Sequence, residues 1–318
     1  MERNDCQIVG LVDLEIDKTN EMVNKYGLNA ETSTNLASII EKTDANLVFD
    51  VTVPKAHYET VITALKSGCN VLGEKPMAAS LEEAKEMVRV SEETGQMYAV
   101  MQNRRFLKSI RAYRELLAKG VIGEIGMVCV DFFLGAHFKG FRTIMESPLI
   151  LDMAIHTFDQ ARFLIRSEPV SVYCQELNPP GSWYKGDAAA VCIFECADGS
   201  VFAYRGSWCA EGAQTSWEGS WRITGSKGTA IWQGGELYAE VVKSARDEFM
   251  NQYKRIDAEY NLEGREVHQG CLDEMFTSLK EGRNPETDCR DNIISMAMVF
   301  GALESSRKGR KVDIRLNK

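Results

Sequence analysis

The sequence predicts an α/β protein: a Rossmann-like, doubly wound parallel sheet, followed by an α/β region with a large open, mainly antiparallel sheet. Three observations indicate this class. Short β-rich runs alternate with helical patterns at the start of the chain, and several consecutive strands follow. The length of 318 residues suits two domains of roughly 100–200 residues each. The pattern changes near residue 104, so we expect domains at 1–104 and 105–318.

The first domain should contain four strands and three helices. Its strands are expected at 7–12, 45–53, 70–73 and 97–101, and its helices at 21–26, 58–67 and 81–94. Ser80 and Glu83 form an N-terminal capping signal for the last helix, and Gly95 follows as its stop. Strands and helices that alternate at this spacing are typical of a parallel sheet.

The second domain is expected to be richer in strands. Its strands are predicted at 125–133, 170–176, 188–195, 200–207, 217–224 and 229–232. Helices are predicted at 110–119, 151–164, 268–280 and 292–307. Turn signals such as Asp198-Gly199 between successive strands favour antiparallel pairing.

Composition excludes several classes of function. The net charge is −9, with 37 basic and 46 acidic residues, whereas binding to nucleic acid or to an anionic membrane needs a positive surface. No apolar run approaches the roughly 18 residues of a membrane span. The N-terminus is polar and does not resemble a secretory signal. The 9 cysteines include no CxxC pair, which favours free thiols in a reducing cytoplasm.

Candidate site residues lie where predicted strands end, because ligands of open parallel sheets bind beyond the carboxyl ends of the strands. These strand ends are Asp13, the turn Thr52-Val53-Pro54, the run Glu74-Lys75-Pro76 and the run Gln102-Asn103-Arg104. A carboxylate such as that of Asp13 accepts hydrogen bonds from a ribose and repels a 2′-phosphate, which favours NAD over NADP. The alternative is an ordinary turn aspartate.

Lys75 precedes a proline, which disfavours helix and holds the lysine in an extended turn. Its ammonium group could polarise a hydroxyl or carbonyl oxygen or exchange a proton with it. The alternative interpretation is an exposed loop lysine.

Asp152 and His156 are four residues apart and share one face of the predicted helix. The imidazole could take a hydroxyl proton while hydride leaves carbon, with the carboxylate supporting it. The alternative is a surface pair. No HExxH motif or cysteine cluster adds a further ligand, so no metal site is predicted. Trp208, Trp217 and Trp221 could stack on a sugar ring, although strand spacing favours a place in the core.

Four motifs, in this order, resemble those of the Gfo/Idh/MocA oxidoreductases, whose members include glucose–fructose oxidoreductase and myo-inositol dehydrogenase. They are Asp-Val-Thr-Val-Pro-Lys-Ala-His at 50–57, Gly-Glu-Lys-Pro at 73–76, Asn-Arg-Arg-Phe at 103–106 and Asp-Met-Ala-Ile-His-Thr-Phe-Asp at 152–159. The resemblance covers nearly the whole chain. It implies a Rossmann domain for NAD, with NADP possible, and an open-sheet domain used for oligomerisation as a dimer or tetramer.

The resemblance also implies roles for individual residues. Lys75 would contact substrate near the nicotinamide, Asp152 and His156 would be catalytic and bind substrate, and Arg104 would lie beside the reacting centre. The expected cofactor-binding residues are Asp13, Thr52, Pro54, His57, Glu74 and Asn103.

The chain departs from the family pattern at its start. The family opens with a strand, a G-x-G-x-x-G loop and a helix, and this sequence contains no such loop. We therefore expect the first strand to be missing, either through a truncated reading frame or through a genuine loss, which leaves a gap of about 9–10 Å in the sheet. A second departure lies at 147–150, where many relatives carry paired glycines.

The predicted function is hydride transfer between a nicotinamide cofactor and a secondary alcohol of a sugar or cyclitol. Lys75 or His156 would handle the proton, and the sequence leaves open which. The alternative is a non-catalytic protein that senses a sugar or nucleotide, which the missing phosphate loop favours and the retained site residues disfavour.

Overall fold

The computed structural model describes residues 3–243, 249–260, 263–314 and 316. The chain forms two compact units. The first comprises residues 1–101 and 275–293, and the second comprises residues 102–274 and 294–318.

The first unit begins with alternating strands and helices, as predicted. Its strands are β1 (Gly10–Val12), β2 (Glu31–Ser33), β3 (Leu47–Asp50), β4 (Asn70–Gly73) and β5 (Tyr98–Val100). Its helices here are α1 (Ile16–Tyr26), α2 (Leu36–Thr43), α3 (His57–Lys66) and α4 (Leu81–Thr94). The sequence analysis did not predict β2 and α2.

The parallel strands fall into two separate sheets, β1–β2 and β3–β4–β5. Within the described residues, β1 therefore pairs only with β2, and β3 only with β4. Apolar side chains near these strands remain exposed: Phe49 is 41% exposed, Val51 77% and Leu14 92%.

The core of the first unit lies around β4, whose side chains are buried on both faces as in a covered parallel sheet. Val71 and Leu72 are buried where α3 packs on β4, and α3 in turn packs against α4. Val61 and Leu65 of α3 and Met87 of α4 are buried as well. Two predicted strands end early. In particular, β3 ends at Asp50, because the Asp50 carboxylate accepts a hydrogen bond from the backbone N–H of Thr52 and a turn begins there.

The segment 275–293 returns to the first unit, which a single boundary at residue 104 did not allow for. The backbone N–H of Val100 donates to the Thr287 carbonyl at 2.9 Å, and Ala99 forms an antiparallel bridge with Asp288. These bonds extend the edge of β5 across a large sequence separation, which local patterns do not reveal.

The second unit is built on a nine-stranded sheet in the order β13-β12-β11-β10-β6-β9-β8-β7-β14. All neighbours are antiparallel except β6 and β9, which run parallel. The strands are β6 (Ile125–Phe133), β7 (Pro169–Leu177), β8 (Ala189–Cys196), β9 (Val201–Ser207), β10 (Ser220–Gly225), β11 (Gly228–Gln233), β12 (Glu236–Val242), β13 (Tyr253–Asp257) and β14 (Val312–Asp313). The large, mainly antiparallel sheet is confirmed, although β12, β13 and β14 were not predicted.

Four helices complete the fold: α5 (Lys108–Ala118), α6 (Ile155–Ile165), α7 (Val267–Glu281) and α8 (Cys289–Lys308). The boundary between the two units falls within α7 and again within α8. Helix α6 is buried on nearly every side, and its Phe158 ring packs edge-on against Phe194 and Tyr204 of the sheet. The opposite face of the sheet is exposed, with Val191 at 43% and Ile193 at 46%.

The predicted helix at 151–164 contains two kinds of helix. Residues Leu149–Ala154 form a π-helical segment, and α6 continues from Ile155. Leu149 and Ile150 are fully buried, so the run that departs from the family's paired glycines packs in the core. A π-helical turn within a helix is frequently found at a functional site.

Candidate active site

Asp13 follows β1 and opens the turn into α1. Its Oδ1 accepts the backbone N–H of Glu15 at 2.9 Å, and its own N–H donates to the Ser33 carbonyl. The carboxylate is therefore a turn aspartate with one oxygen engaged. Its second oxygen has no partner among the described residues and can accept from a ribose hydroxyl.

A buried carboxylate that the sequence analysis missed organises the end of β3. Asp50 is 1% exposed, and its Oδ2 lies 2.6 Å from Nδ1 of His57, which is equally buried. Its Oδ1 accepts from both the backbone N–H and the hydroxyl of Thr52. Thr52 and His57 are thus held by Asp50, and Pro54 lies in the turn between them. The sequence did mark Asp50, because it is the first residue of the motif at 50–57.

Glu74 and Lys75 follow β4, and the peptide bond between Lys75 and Pro76 is cis. The backbone N–H of Glu74 donates to the Asp50 carbonyl at 2.8 Å, which fixes the run beside the end of β3. The Glu74 carboxylate accepts the backbone N–H of Lys75. Both side chains are partly exposed, so each can reach a ligand at this edge.

A short 3₁₀ turn at Asn103–Phe106 carries the next candidates. Asn103 donates from its amide to the ring of His268 at 3.0 Å, and its Oδ1 is buried without a partner in the described part of the chain. The turn is anchored by Arg105, which makes two bonds of 2.6 Å to the Asp159 carboxylate on α6. Both side chains of this ion pair are at most 5% exposed.

Arg104 points away from that anchor. Its guanidinium donates to the backbone carbonyl of Trp217 and lies 3.8 Å from the sulfur of Met153. Burial lowers its pKa to about 10, although the charge of Glu218 acts in the opposite direction. A partly buried guanidinium with two neutral acceptors keeps donors available for a ligand.

Asp152 lies in the π-helical segment and is 6% exposed. Its Oδ2 accepts a hydrogen bond of 2.5 Å from Nε of Arg142. Arg142 belongs to the short 3₁₀ turn Gly140–Ile144 and lies over the rings of Phe138 and Phe141. The sequence analysis missed Arg142, because a single arginine in an irregular loop carries no spacing signal.

His156 occupies the first turn of α6 and is 7% exposed. Gln160 follows one turn later and is fully buried, and both atoms of its amide lack partners among the described residues. Gln102 has the same two properties. Buried amides without partners are groups that a ligand or a bound water would satisfy.

The three tryptophans have different environments. Trp221 is 1% exposed and stacks on Trp232, so it belongs to the core as strand spacing favoured. Trp217 is 45% exposed and lies in a turn before β10, since the Ser216 carbonyl accepts the N–H of Gly219 and delays the strand. Trp208 is buried against Phe138. Only Trp217 of these three presents a large ring to solvent.

The donors and acceptors of the first unit fit part of a dinucleotide. The free oxygen of Asp13 suits an adenosine ribose, and the exposed Thr52 hydroxyl and Glu74 carboxylate add polar groups at the strand ends. The buried Nε2 of His57 lacks a partner in the described part of the chain. No glycine-rich loop within the sequence is available to surround a pyrophosphate. The fit is therefore to the ribose portion.

The described residues contain no group of three or more His, Cys, Asp or Glu side chains that could hold a metal ion. In the same part of the chain, no helix is both long and apolar enough to cross a membrane.

Two family models match the chain. Residues 1–102 match the model of the Gfo/Idh/MocA oxidoreductase family with its NAD-binding Rossmann fold, and residues 110–231 match the Gfo/Idh/MocA C-terminal domain.

Individual proteins that are similar to this chain share less than a third of its residues in the aligned regions. Uncharacterized protein y4oX of Sinorhizobium fredii is 28% identical over 97% of this chain and 88% of its own length. D-glucoside 3-dehydrogenase of Escherichia coli is 27% identical over 51% of this chain and 48% of its own. Inositol 2-dehydrogenase/D-chiro-inositol 3-dehydrogenase of Lacticaseibacillus casei is 29% identical over 52% and 48%. The alignments with these two enzymes thus span about half of each enzyme.

A similar fold occurs in the crystal structure of an oxidoreductase from Agrobacterium radiobacter in complex with NAD+, L-tartaric acid and magnesium. It superposes with a TM-score of 0.84 at 23% identity, covering 96% of this chain and 91% of that one. At this identity the similarity shows the fold alone.

Proposed function

Because this chain belongs to the Gfo/Idh/MocA oxidoreductase family, we propose that it transfers hydride between a nicotinamide cofactor and a secondary alcohol of a sugar or cyclitol. The observation that carries the proposal is the retained set of polar side chains, with Lys75 after β4 and Asp152 and His156 around the start of α6. The names of the glucoside and inositol dehydrogenases support the substrate class.

We assign His156 the proton transfer and Lys75 a supporting role at the reacting oxygen. NAD, when bound, would supply the hydride acceptor, and a base of the protein would take the hydroxyl proton. His156 is suited to take it because an imidazole titrates near neutral pH, and the neighbouring Asp152 carboxylate is fixed by Arg142. Lys75 is assigned to hold the reacting oxygen. Asp13, Thr52, Pro54, His57, Glu74 and Asn103 are proposed to contact the cofactor.

Steady-state reduction of NAD and of NADP, with a panel of hexoses, methyl glucosides and inositols, tests the proposal. His156→Ala and Lys75→Ala should each lower turnover by about 10²–10⁴-fold, the range for a positioned acid–base group. Lys85→Ala on α4 is the matched control and should leave turnover unchanged. Near-normal turnover in either site variant would show that this residue does not have the catalytic role assigned to it.

The same assay decides between an enzyme and a sensor. Dehydrogenases and reductases among the relatives favour the enzyme. A chain that binds NAD and a sugar by calorimetry and yet transfers no hydride with any member of the panel would support the non-catalytic alternative.

The open face of the nine-stranded sheet is proposed to join copies of the chain into a dimer or tetramer. Alternate side chains of β8 and its neighbour β7 are apolar and exposed there, including Val191, Ile193 and Tyr173. A reducing, cytoplasmic location is also proposed. It is supported by 9 free cysteines, two of which, Cys192 and Cys174, are joined by a thiol hydrogen bond of 3.4 Å and not by a disulfide.

A further inference from the structure

In the second unit, a closed series of contacts and chain connections links Asp152 with Arg104 and Arg142. Arg104 contacts the sulfur of Met153, and the adjacent Asp152 accepts from Arg142. Arg142 lies 5.2 Å from the centre of the Phe138 ring. The Phe138 ring is in turn 6.5 Å from that of Trp217, whose carbonyl accepts from Arg104. We call these six residues the arginine ring: Arg104, Phe138, Arg142, Asp152, Met153 and Trp217.

The charges within the arginine ring do not balance. Asp152 is matched by Arg142, with 2.5 Å between Oδ2 and Nε. Arg104 has only a backbone carbonyl and a thioether as partners, and no carboxylate of the described residues lies within ion-pair distance of it. Glu218 acts on Arg104 electrostatically, but without a direct bond. One positive charge of the ring is therefore left without an ion-pair partner.

An unpaired charge of this kind is unusual for a partly buried guanidinium. Arg105, the next residue, is buried and carries its carboxylate partner Asp159. Burying a charge without a partner is costly, and proteins normally pair it. Burial lowers the pKa of Arg104 to about 10, which leaves it fully charged near neutral pH.

The surroundings suit a small polar ligand. Trp217 and Phe138 remain 45% and 37% exposed, so their rings can cover the apolar face of a sugar. The hydroxyl of Tyr204 and the indole N–H of Trp208 are buried without hydrogen-bond partners in the described part of the chain. Tyr204 is close enough to Arg104 for the guanidinium charge to lower the pKa of the phenol, against the stronger upward effect of burial.

We propose that Arg104 binds a carboxylate of the substrate, so that the preferred substrates are sugar acids, namely uronic or aldonic acids, rather than neutral sugars. This inference rests on the proposed function and specifies its substrate class. A guanidinium can bind a carboxylate through two parallel hydrogen bonds, which adds orientation to the attraction of opposite charges. The substrate would then supply the negative charge that the arginine ring lacks.

Matched pairs of ligands test the proposal by two measurements on the full chain. The pairs are D-glucuronate with D-glucose, D-galacturonate with D-galactose, and D-gluconate with sorbitol. Isothermal titration calorimetry measures binding, and NAD reduction measures kcat/KM. We expect each acid to be preferred to its neutral partner by about 10- to 100-fold, the scale of a hydrogen bond to a charged group.

Arg104→Gln removes the charge and keeps a donor for the Trp217 carbonyl, so the preference for acids over their neutral partners should disappear. Arg104→Lys should retain part of the preference for acids. It provides a second test if the glutamine variant does not fold. Arg89→Gln on the surface of α4 removes a charge elsewhere and should leave the preference intact.

The outcomes separate this inference from the proposed function. If neutral sugars turn over at least as fast as the acids, and Arg104→Gln does not change the ratio of the two rates, the carboxylate site is wrong. The proposed dehydrogenase activity would still stand. Calorimetric preference for acids that depends on Arg104, without hydride transfer, would support the site and contradict the dehydrogenase. Binding of no acid in any pair would overturn the site.

Discussion

At the scale of single residues, the carboxyl group of Glu176 links the stability of the second unit to pH. Glu176 lies on β7, is 7% exposed, and has Asp187 nearby. Burial raises its pKa from 4.5 to about 7, although hydrogen bonds from Ser147 and Ser306 and the charge of Arg307 lower it. The folded chain therefore binds this proton more tightly than the unfolded chain does.

Glu176→Gln should flatten the pH dependence of stability. A raised folded-state pKa contributes stability that is fully present below the unfolded pKa and is lost as pH rises through the folded one. The free energy of unfolding of the native chain should thus fall between about pH 5 and 8, by about 1–3 kcal/mol. The variant should lack this fall and exceed the native chain in stability at the upper end.

Chemical denaturation at several pH values measures this effect. Glu195→Gln on the neighbouring strand β8 is the control, because hydrogen bonds from Lys311 and Ser171 lower its pKa and it stays charged throughout the window. A native chain whose stability rises between pH 5 and 8 would contradict the assignment to Glu176.

At the scale of elements, one buried ion pair fixes the turn Asn103–Phe106 to α6. Arg105 holds both carboxylate oxygens of Asp159, and the hydroxyl of Ser295 on α8 donates to the same group at 2.8 Å. Because Arg104 is the neighbour of Arg105, the position of its guanidinium depends on this contact between the turn and the helix.

Asp159→Asn should lower the free energy of unfolding by about 3–5 kcal/mol, since it removes a buried carboxylate charge that is paired with the buried Arg105. Asp131→Asn breaks the exposed pair with Arg205 on the sheet and should cost at most about 1 kcal/mol. Urea denaturation of both variants supplies the comparison. Equal losses of stability in the two variants would show that burial of the Arg105–Asp159 pair has no special effect.

Elements with strong local signals were predictable from sequence. Helix α4 spans the predicted 81–94, and Ser80 accepts the N–H of Glu83 as the capping pattern indicated. In contrast, β2 has 3 residues and no regular apolar alternation, so no local pattern marked it. The π-helical form of 149–154 depends on packing, which sequence periodicity does not encode.

The candidate site was predictable only where motifs carried it. Asp152 and His156 were identified by their spacing in a family motif. His268 lies 165 residues from Asn103, which it contacts, and Arg142 lies 10 residues from Asp152 in an irregular turn. Neither residue belongs to a recognisable pattern. Tertiary contacts alone bring them to the site.

At the scale of the whole molecule, the exposed face of the nine-stranded sheet bears on whether the chain is a monomer or an oligomer. Val191 and Ile193 on β8 and Tyr173 on β7 form an apolar area that a monomer would leave in water. Burial of such a face against a second copy releases about 25 cal/mol for each Å² of apolar surface, which favours association.

Ile193→Lys should shift the assembly toward monomers, because it places a charge within the buried core of the proposed interface. Light scattering coupled to size-exclusion chromatography measures the change in mass. Lys243 directly follows β12, which is five strands from β8 in the sheet order, so Lys243→Glu serves as the charge-changing control. A native chain that is already monomeric at micromolar concentration would refute the interface.

The division of the parallel strands into two sheets has a consequence for solubility. Within the described residues, β1 and β3 each pair on one side only, so each leaves a row of backbone N–H and C=O groups available to a strand of another molecule. Apolar side chains such as Val12 and Phe49 accompany these edges, and neither edge is interrupted by a lysine or proline within the strand itself. Pairing of these edges between molecules should therefore limit the solubility of the 318-residue chain. Phe49→Lys should raise the highest concentration that stays in solution.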